Sequence, residues 1–112
     1  MLTEISRVGD IAVLKLLHAR FDASIAPKIK SEIVALIEQG ERKLVLDLQC
    51  VQFVDSSGLG AMVSIFKALG GKGDIVLCRV AEGVHSMLRL TRMDRVFTID
   101  DDAVAACARL GA

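Results

Sequence analysis

The apolar positions of the chain change period several times, and each change marks an element. Leu2 to Val8 and Ile11 to Leu17 read as two strands, with Gly9-Asp10 between them as a two-residue turn, so an antiparallel hairpin is expected. A helix is predicted from about Ser24 to Gln39, because Ile25, Ile29, Ile33, Leu36 and Ile37 recur on one helical face. Asp22 or Ser24 is placed to cap its start, Pro27 falls in its first turn, and Gly40 closes it. Leu44-Val45-Leu46-Asp47-Leu48 is a short, mostly apolar strand of the kind covered on both faces. Helical period returns from about Ser57 to Leu69, with Leu59, Met62, Val63, Phe66 and Leu69 on one face and Gly70-Gly71 as the stop. Asp74 to Arg79 predicts a strand, Glu82 to Leu90 a short helix with Val84, Met87 and Leu88 inward, and Arg95 to Thr98 a short last strand. Asp100 or Asp101 then caps a final helix through Val104, Ala108 and Leu110.

Strands alternating with helices after a hairpin describe one α/β domain over residues 1–112. The sheet should be mixed, with four to five strands and about four helices packed against it. In such sheets chemistry gathers where strands end and helices begin. The unusual residues lie at one such junction, after Leu48.

Composition narrows the function. With 53% hydrophobic and 25% charged residues the chain is not a disordered tail. A chain of 112 residues buries roughly 65% of its unfolded surface and needs no disulfide or metal to fold. Lys plus Arg and Asp plus Glu both number 14, so no clustered positive excess points to direct nucleic-acid binding. Trp and Tyr are absent and only four Phe are present, which argues against a base-stacking platform. Met1 to Asp10 carries charges without a long apolar run, so neither a signal peptide nor membrane insertion is expected. Cys50, Cys78 and Cys107 lack CxxC spacing and are odd in number; they read as reduced, mostly buried thiols of a cytoplasmic protein, not as a metal site.

Residues 49–60 read QCVQFVDSSGLG. Val51, Phe53 and Val54 anchor the loop, and one acid, two hydroxyls and two glycines then follow within six residues. Asp55 or Ser56 can accept from free N–H groups of the next helix. Gly58 is expected to supply backbone freedom and let another molecule approach. Ser57 sits at the helix entrance, where a negative charge is favoured by the macrodipole and the free N–H groups. Taken alone, this is ordinary capping chemistry. It contains neither the Gly-x-Ser-x-Gly of a nucleophile elbow nor the Gly-Lys-Ser/Thr of a phosphate loop.

Asp-Ser-Ser-Gly-Leu-Gly after a Leu-Val-Leu-Asp-Leu strand nevertheless resembles the STAS domain, the sulfate transporter and anti-sigma factor antagonist family. Arg20-Phe21-Asp22-Ala23 followed by Ala26-Pro27 is similar to that family's Leu-Asp-Ala turn and helix, and Leu90 to Phe97 to its late segment. His18-Ala19 departs from the pattern, since many members have a glycine before the turn. The resemblance implies an anti-sigma factor antagonist without catalytic activity or cofactor. Its implied partners are an anti-sigma factor that is itself an ATP-binding serine kinase, and a serine phosphatase; it also admits a weak homodimer. Carried over by position, the phosphoacceptor is Ser57, with Ser56 as second choice, and Asp22, Asp55, Ser56, Ser57, Gly58 and Leu59 form the partner-binding surface.

The alternative is a STAS module that does not switch, acting as a scaffold or as the soluble subunit of a signalling or transport assembly. A serine hydrolase lacks support, because no His–Asp pair is spaced to serve Ser57. His18 and His85 read as ordinary residues, Asp47 as a buried hydrogen-bonded acid, and Asp100-Asp101-Asp102 as a helix cap without calcium-loop spacing. Lys28, Lys30, Arg42 and Lys43 read as solvated charges.

Overall fold

The computed structural model describes residues 2–112. Strand β1 (Thr3–Val8) pairs antiparallel with β2 (Ile11–Leu16), Thr3 opposite Leu16 and Val8 opposite Ile11. The turn between them needs Gly9, whose φ is 61°. Helix α1 (Ala26–Glu38) leads to β4 (Lys43–Asp47), α2 (Ser56–Leu69) to β6 (Asp74–Cys78), and α3 (Glu82–Leu90) to β7 (Thr98–Asp100). Helix α4 (Ala103–Arg109) is last. The strands form one mixed sheet of order β1-β2-β4-β6-β7, parallel from β2 onward. Two-residue strands β3 (Arg20–Phe21) and β5 (Phe53–Val54) form a separate parallel pair.

Burial explains the layering. Ile11, Ala12, Val13 and Leu14 are all buried, so β2 is covered on both faces, whereas the edge strand β1 buries only Thr3. Each crossover from β2 to β4, β6 and β7 steps the same way across the sheet, and crossovers of one hand then place α1, α2 and α3 on one face. That face holds the main core, including Leu14, Phe21, Ile29, Ile33, Leu46, Met62 and Ile65. Helix α4 folds back over the other face and covers Ile11, Val13, Val45, Val76 and Cys78 with Ala106, Cys107 and Leu110.

Several local expectations are corrected. The final helix buries Ala106 and Cys107, not Val104, which is 80% exposed, or Ala108; its cap is Asp102, whose Oδ1 accepts from the N–H of Ala105 at 2.8 Å. Asp100 instead makes a two-pronged ion pair with Arg109 at 2.7 and 2.8 Å, which holds its carboxyl below the ordinary range. The last strand lies at Thr98–Asp100 because Met93–Arg95 forms a 3₁₀ turn. Helix α2 buries Ala61 and Ile65 with Met62 and Leu69, while Phe66 is 42% exposed and makes an edge contact with Phe97. Helix α1 has no side-chain cap. At its far end Arg42 donates to the carbonyls of Ile37 and Glu41 at 2.7 and 2.8 Å, so that charge closes the helix rather than being merely solvated.

Candidate functional site

Asp55 ends the loop in extended conformation, and its Oδ1 accepts from the N–H groups of Ser57 and Gly58 at 2.9 and 3.0 Å. The Leu59 N–H donates to the Asp55 carbonyl at 2.9 Å. One carboxylate therefore fixes the first turn of α2, as an N-cap does. Ser56 and Ser57, the first two helical residues, are both exposed, and Leu59 is half-buried.

Gly58 faces inward. A Cβ at this position would lie 2.2 Å from the carbonyl oxygen of Phe21 and 3.0 Å from its carbon. The close approach that demands glycine is made by the chain's own backbone, not by another molecule, and Gly58 is buried. This contact seats α2 on the β3–β5 pair. The Phe21 carbonyl also accepts from Asp55 at 3.3 Å, and Ala19 accepts from Gln52 and Phe53 at 2.7 and 3.1 Å.

The β3–β5 pair is what assembles the site. Phe21 lies opposite Val54, so the next residues, Asp22 and Asp55, leave the pair side by side although 33 positions separate them. The Asp22 carboxylate accepts from the N–H and hydroxyl of Ser24 at 3.0 and 2.6 Å. The Ser24 hydroxyl, then its N–H, hold the Asp22 carboxyl below the ordinary range, helped by Arg20 at 3.4 Å. Arg20 also stacks on the half-exposed Phe53, 4.3 Å from the ring centre.

A surface groove of about 340 Å³ runs between α1 and α2. One wall is Ala23, Ala26, Pro27 and Lys30; the other is Ser57, Gly60, Ala61 and Ser64. Both walls follow the spacing i, i+3, i+4, i+7: a stripe of α2 faces a stripe of α1 that begins at Ala23 in the turn before that helix. Ser57 lines this groove and Ser56 does not.

The STAS domain family model matches residues 3–106. The chain belongs to the STAS domain family. An anti-sigma F factor antagonist of Paenibacillus polymyxa is 35% identical over 60% of this chain and 58% of its own length. A Thermotoga maritima structure, named as a candidate anti-sigma factor antagonist, superposes with a TM-score of 0.90 at 26% identity, covering 98% of this chain and 95% of that one. Bacillus SpoIIAA in its phosphorylated form shares the fold at 18% identity, with a TM-score of 0.73 over 96% of this chain and 97% of its own.

Within this STAS domain the sequence expectations for the turn divide. Asp55 is the cap. Asp55 engages the N–H groups of Ser57 and Gly58 through its carboxylate and that of Leu59 through its carbonyl. Asp47 is 4% exposed at the end of β4, accepting from the Gln49 N–H at 3.0 Å with the Arg79 guanidinium at 3.8 Å. His85 contacts Arg89 at 3.0 Å on α3 and does not line the groove beside Ser57. Among the described residues no cluster of His, Cys, Asp or Glu can hold a metal, and no helix is long and apolar enough to cross a membrane. The contribution of β3 and β5 was missed from sequence; two-residue strands leave no readable period.

Proposed function

We propose that this STAS domain is an anti-sigma factor antagonist that works as a phosphorylation-controlled partner switch. The unphosphorylated chain binds an anti-sigma factor that is also a serine kinase, and the bound sigma factor is released. The kinase transfers the γ-phosphoryl group of its ATP to Ser57 Oγ: the new O–P bond replaces the γ-phosphoanhydride bond, the hydroxyl proton goes to a base of the kinase, and ADP leaves. A serine phosphatase restores the hydroxyl.

The observation that carries this reading is the rigid presentation of the Ser57 hydroxyl. Its backbone is fixed by the Asp55 cap, its side chain is exposed, and it borders the groove between α1 and α2. Ser56 is the second candidate, exposed but outside the groove. Asp22, Asp55, Ser56, Ser57 and Leu59 form the contact surface, and Gly58 holds it in place from beneath. The relatives named as anti-sigma factor antagonists support the role. Phosphate adds about −1.5 to −2 charges at neutral pH. A partner carboxylate about 5 Å away then meets repulsion on the order of several kcal/mol at an effective dielectric near 20. A loss of even ~3 kcal/mol weakens binding on the order of 100-fold, enough for release.

The test combines the purified chain with its anti-sigma kinase and ATP, followed by mass mapping and calorimetric binding. One phosphate at Ser57 and a Ser57→Asp variant that no longer binds are expected. Unchanged phosphorylation and release in Ser57→Ala would refute the assignment. Tight binding insensitive to Ser57→Asp would make the domain a scaffold.

A further inference from the structure

Resting on the assignment of Ser57 as phosphoacceptor, we infer that Lys30 of α1 is the counter-ion that holds the Ser57 phosphate, drawing it into the groove between α1 and α2. Lys30 and Ser57 line the same groove from opposite walls, and Lys30 is the only charged residue among those that line it. No ion pair to Lys30 occurs among the described residues. Arg20, the other cation beside the turn, is committed to Asp22 and stacked on Phe53.

The need for such a partner follows from the cap. A phosphoserine at a bare helix start would take the free N–H groups of the first turn. Here the Asp55 carboxylate holds the N–H groups of Ser57 and Gly58. The phosphate is repelled from that side by like charge and attracted toward the ammonium across the groove. The groove is otherwise lined by small and apolar residues, which leave room for a phosphate but offer no second cation. Phosphorylation then has two effects on a partner: it adds charge, and it closes a groove that the unmodified chain leaves open.

The inference is tested on the full chain with phosphoserine installed at position 57 during synthesis. The second ionisation of the phosphate is followed by ³¹P NMR as a function of pH. A nearby ammonium favours the dianion and lowers this pKa, so removing it raises the pKa. Lys30→Met is expected to raise it by about half a pH unit at low ionic strength, the effect of one charge about 5 Å away in a high dielectric. Lys30→Arg should keep the lower value, and the difference should shrink in ~1 M salt. Lys28→Met, two positions along the same helix and outside the groove, should leave the titration unchanged. No rise in Lys30→Met, or an equal rise in Lys28→Met, overturns the inference. Because the phosphate is installed chemically defined, the titration succeeds or fails independently of whether any kinase modifies Ser57. Lys30 is exposed and Met is a good helix former, so the variant is expected to fold; an unchanged circular dichroism spectrum checks this.

Discussion

Replacing Gly58 with alanine sets two helix effects against each other. Alanine favours helix over glycine by about 1 kcal/mol, so on propensity the change is stabilising. The new Cβ, however, falls 2.2 Å from the Phe21 carbonyl oxygen and 3.1 Å from the Phe21 ring. The first neighbour is backbone and cannot swing aside. Moving it disturbs the β3–β5 register and the bond from Asp55 to the same carbonyl at 3.3 Å. Overpacking of this kind costs about 1–3 kcal/mol, and the strained hydrogen bond about 1 kcal/mol more. After the propensity gain the net loss should be about 1–3 kcal/mol, with the melting temperature falling by roughly 4–10 °C. Gly60 provides the internal control: it lies two residues along the same helix, and a Cβ there meets nothing within 4 Å. Gly60→Ala should therefore stabilise by about 0.5–1 kcal/mol. Urea unfolding followed by circular dichroism measures both. A Gly58→Ala protein as stable as the parent would refute the claim that the Phe21 carbonyl is what demands glycine.

Three further outcomes are expected. Asp55→Ala should lose about 1 kcal/mol in urea unfolding, because two N–H groups lose their acceptor, whereas Asp55→Asn should keep most of the cap. At the C-terminal end of α4, Leu110→Ala should cost about 2–3 kcal/mol, while Val104→Ala within the helix, at a position 80% exposed, should stay within about 0.5 kcal/mol; the reverse ranking would mean that the helix buries its other face. Burial, then the nearby Asp47 charge, push the Cys78 thiol from 9.0 up to about 12. Above pH 9 the unfolded chain gives up this proton and the folded chain keeps it, so stability is lost as pH rises from about 9 toward 12 at up to ~1.4 kcal/mol per unit; a Cys78→Ala protein should lack that part of the decline.

The main elements were legible in the sequence because their apolar patterns are long and regular. Ile29, Ile33 and Ile37 mark the buried face of α1, and the run Leu44 to Leu48 marks a strand covered on both sides. The Asp55 cap was readable too, since a short carboxylate before a helix has few other local partners. The two-residue strands β3 and β5 were not legible, nor was the buried face of the short helix α4. In α4, Val104 looked as buried as Cys107, and only the arrival of the helix on the far face of the sheet decided between them.

What the sequence determined by itself is the order of strands and helices, the capped serine turn and, through the motif's resemblance, the family. These depend on neighbours along the chain. Tertiary structure alone decided the rest: that Asp22 stands beside Asp55, that Gly58 answers to Phe21, and that Lys30 shares a groove with Ser57. Each joins residues more than 25 positions apart. Such pairs are set by which strands align and which helix faces pack, and no local period records that choice.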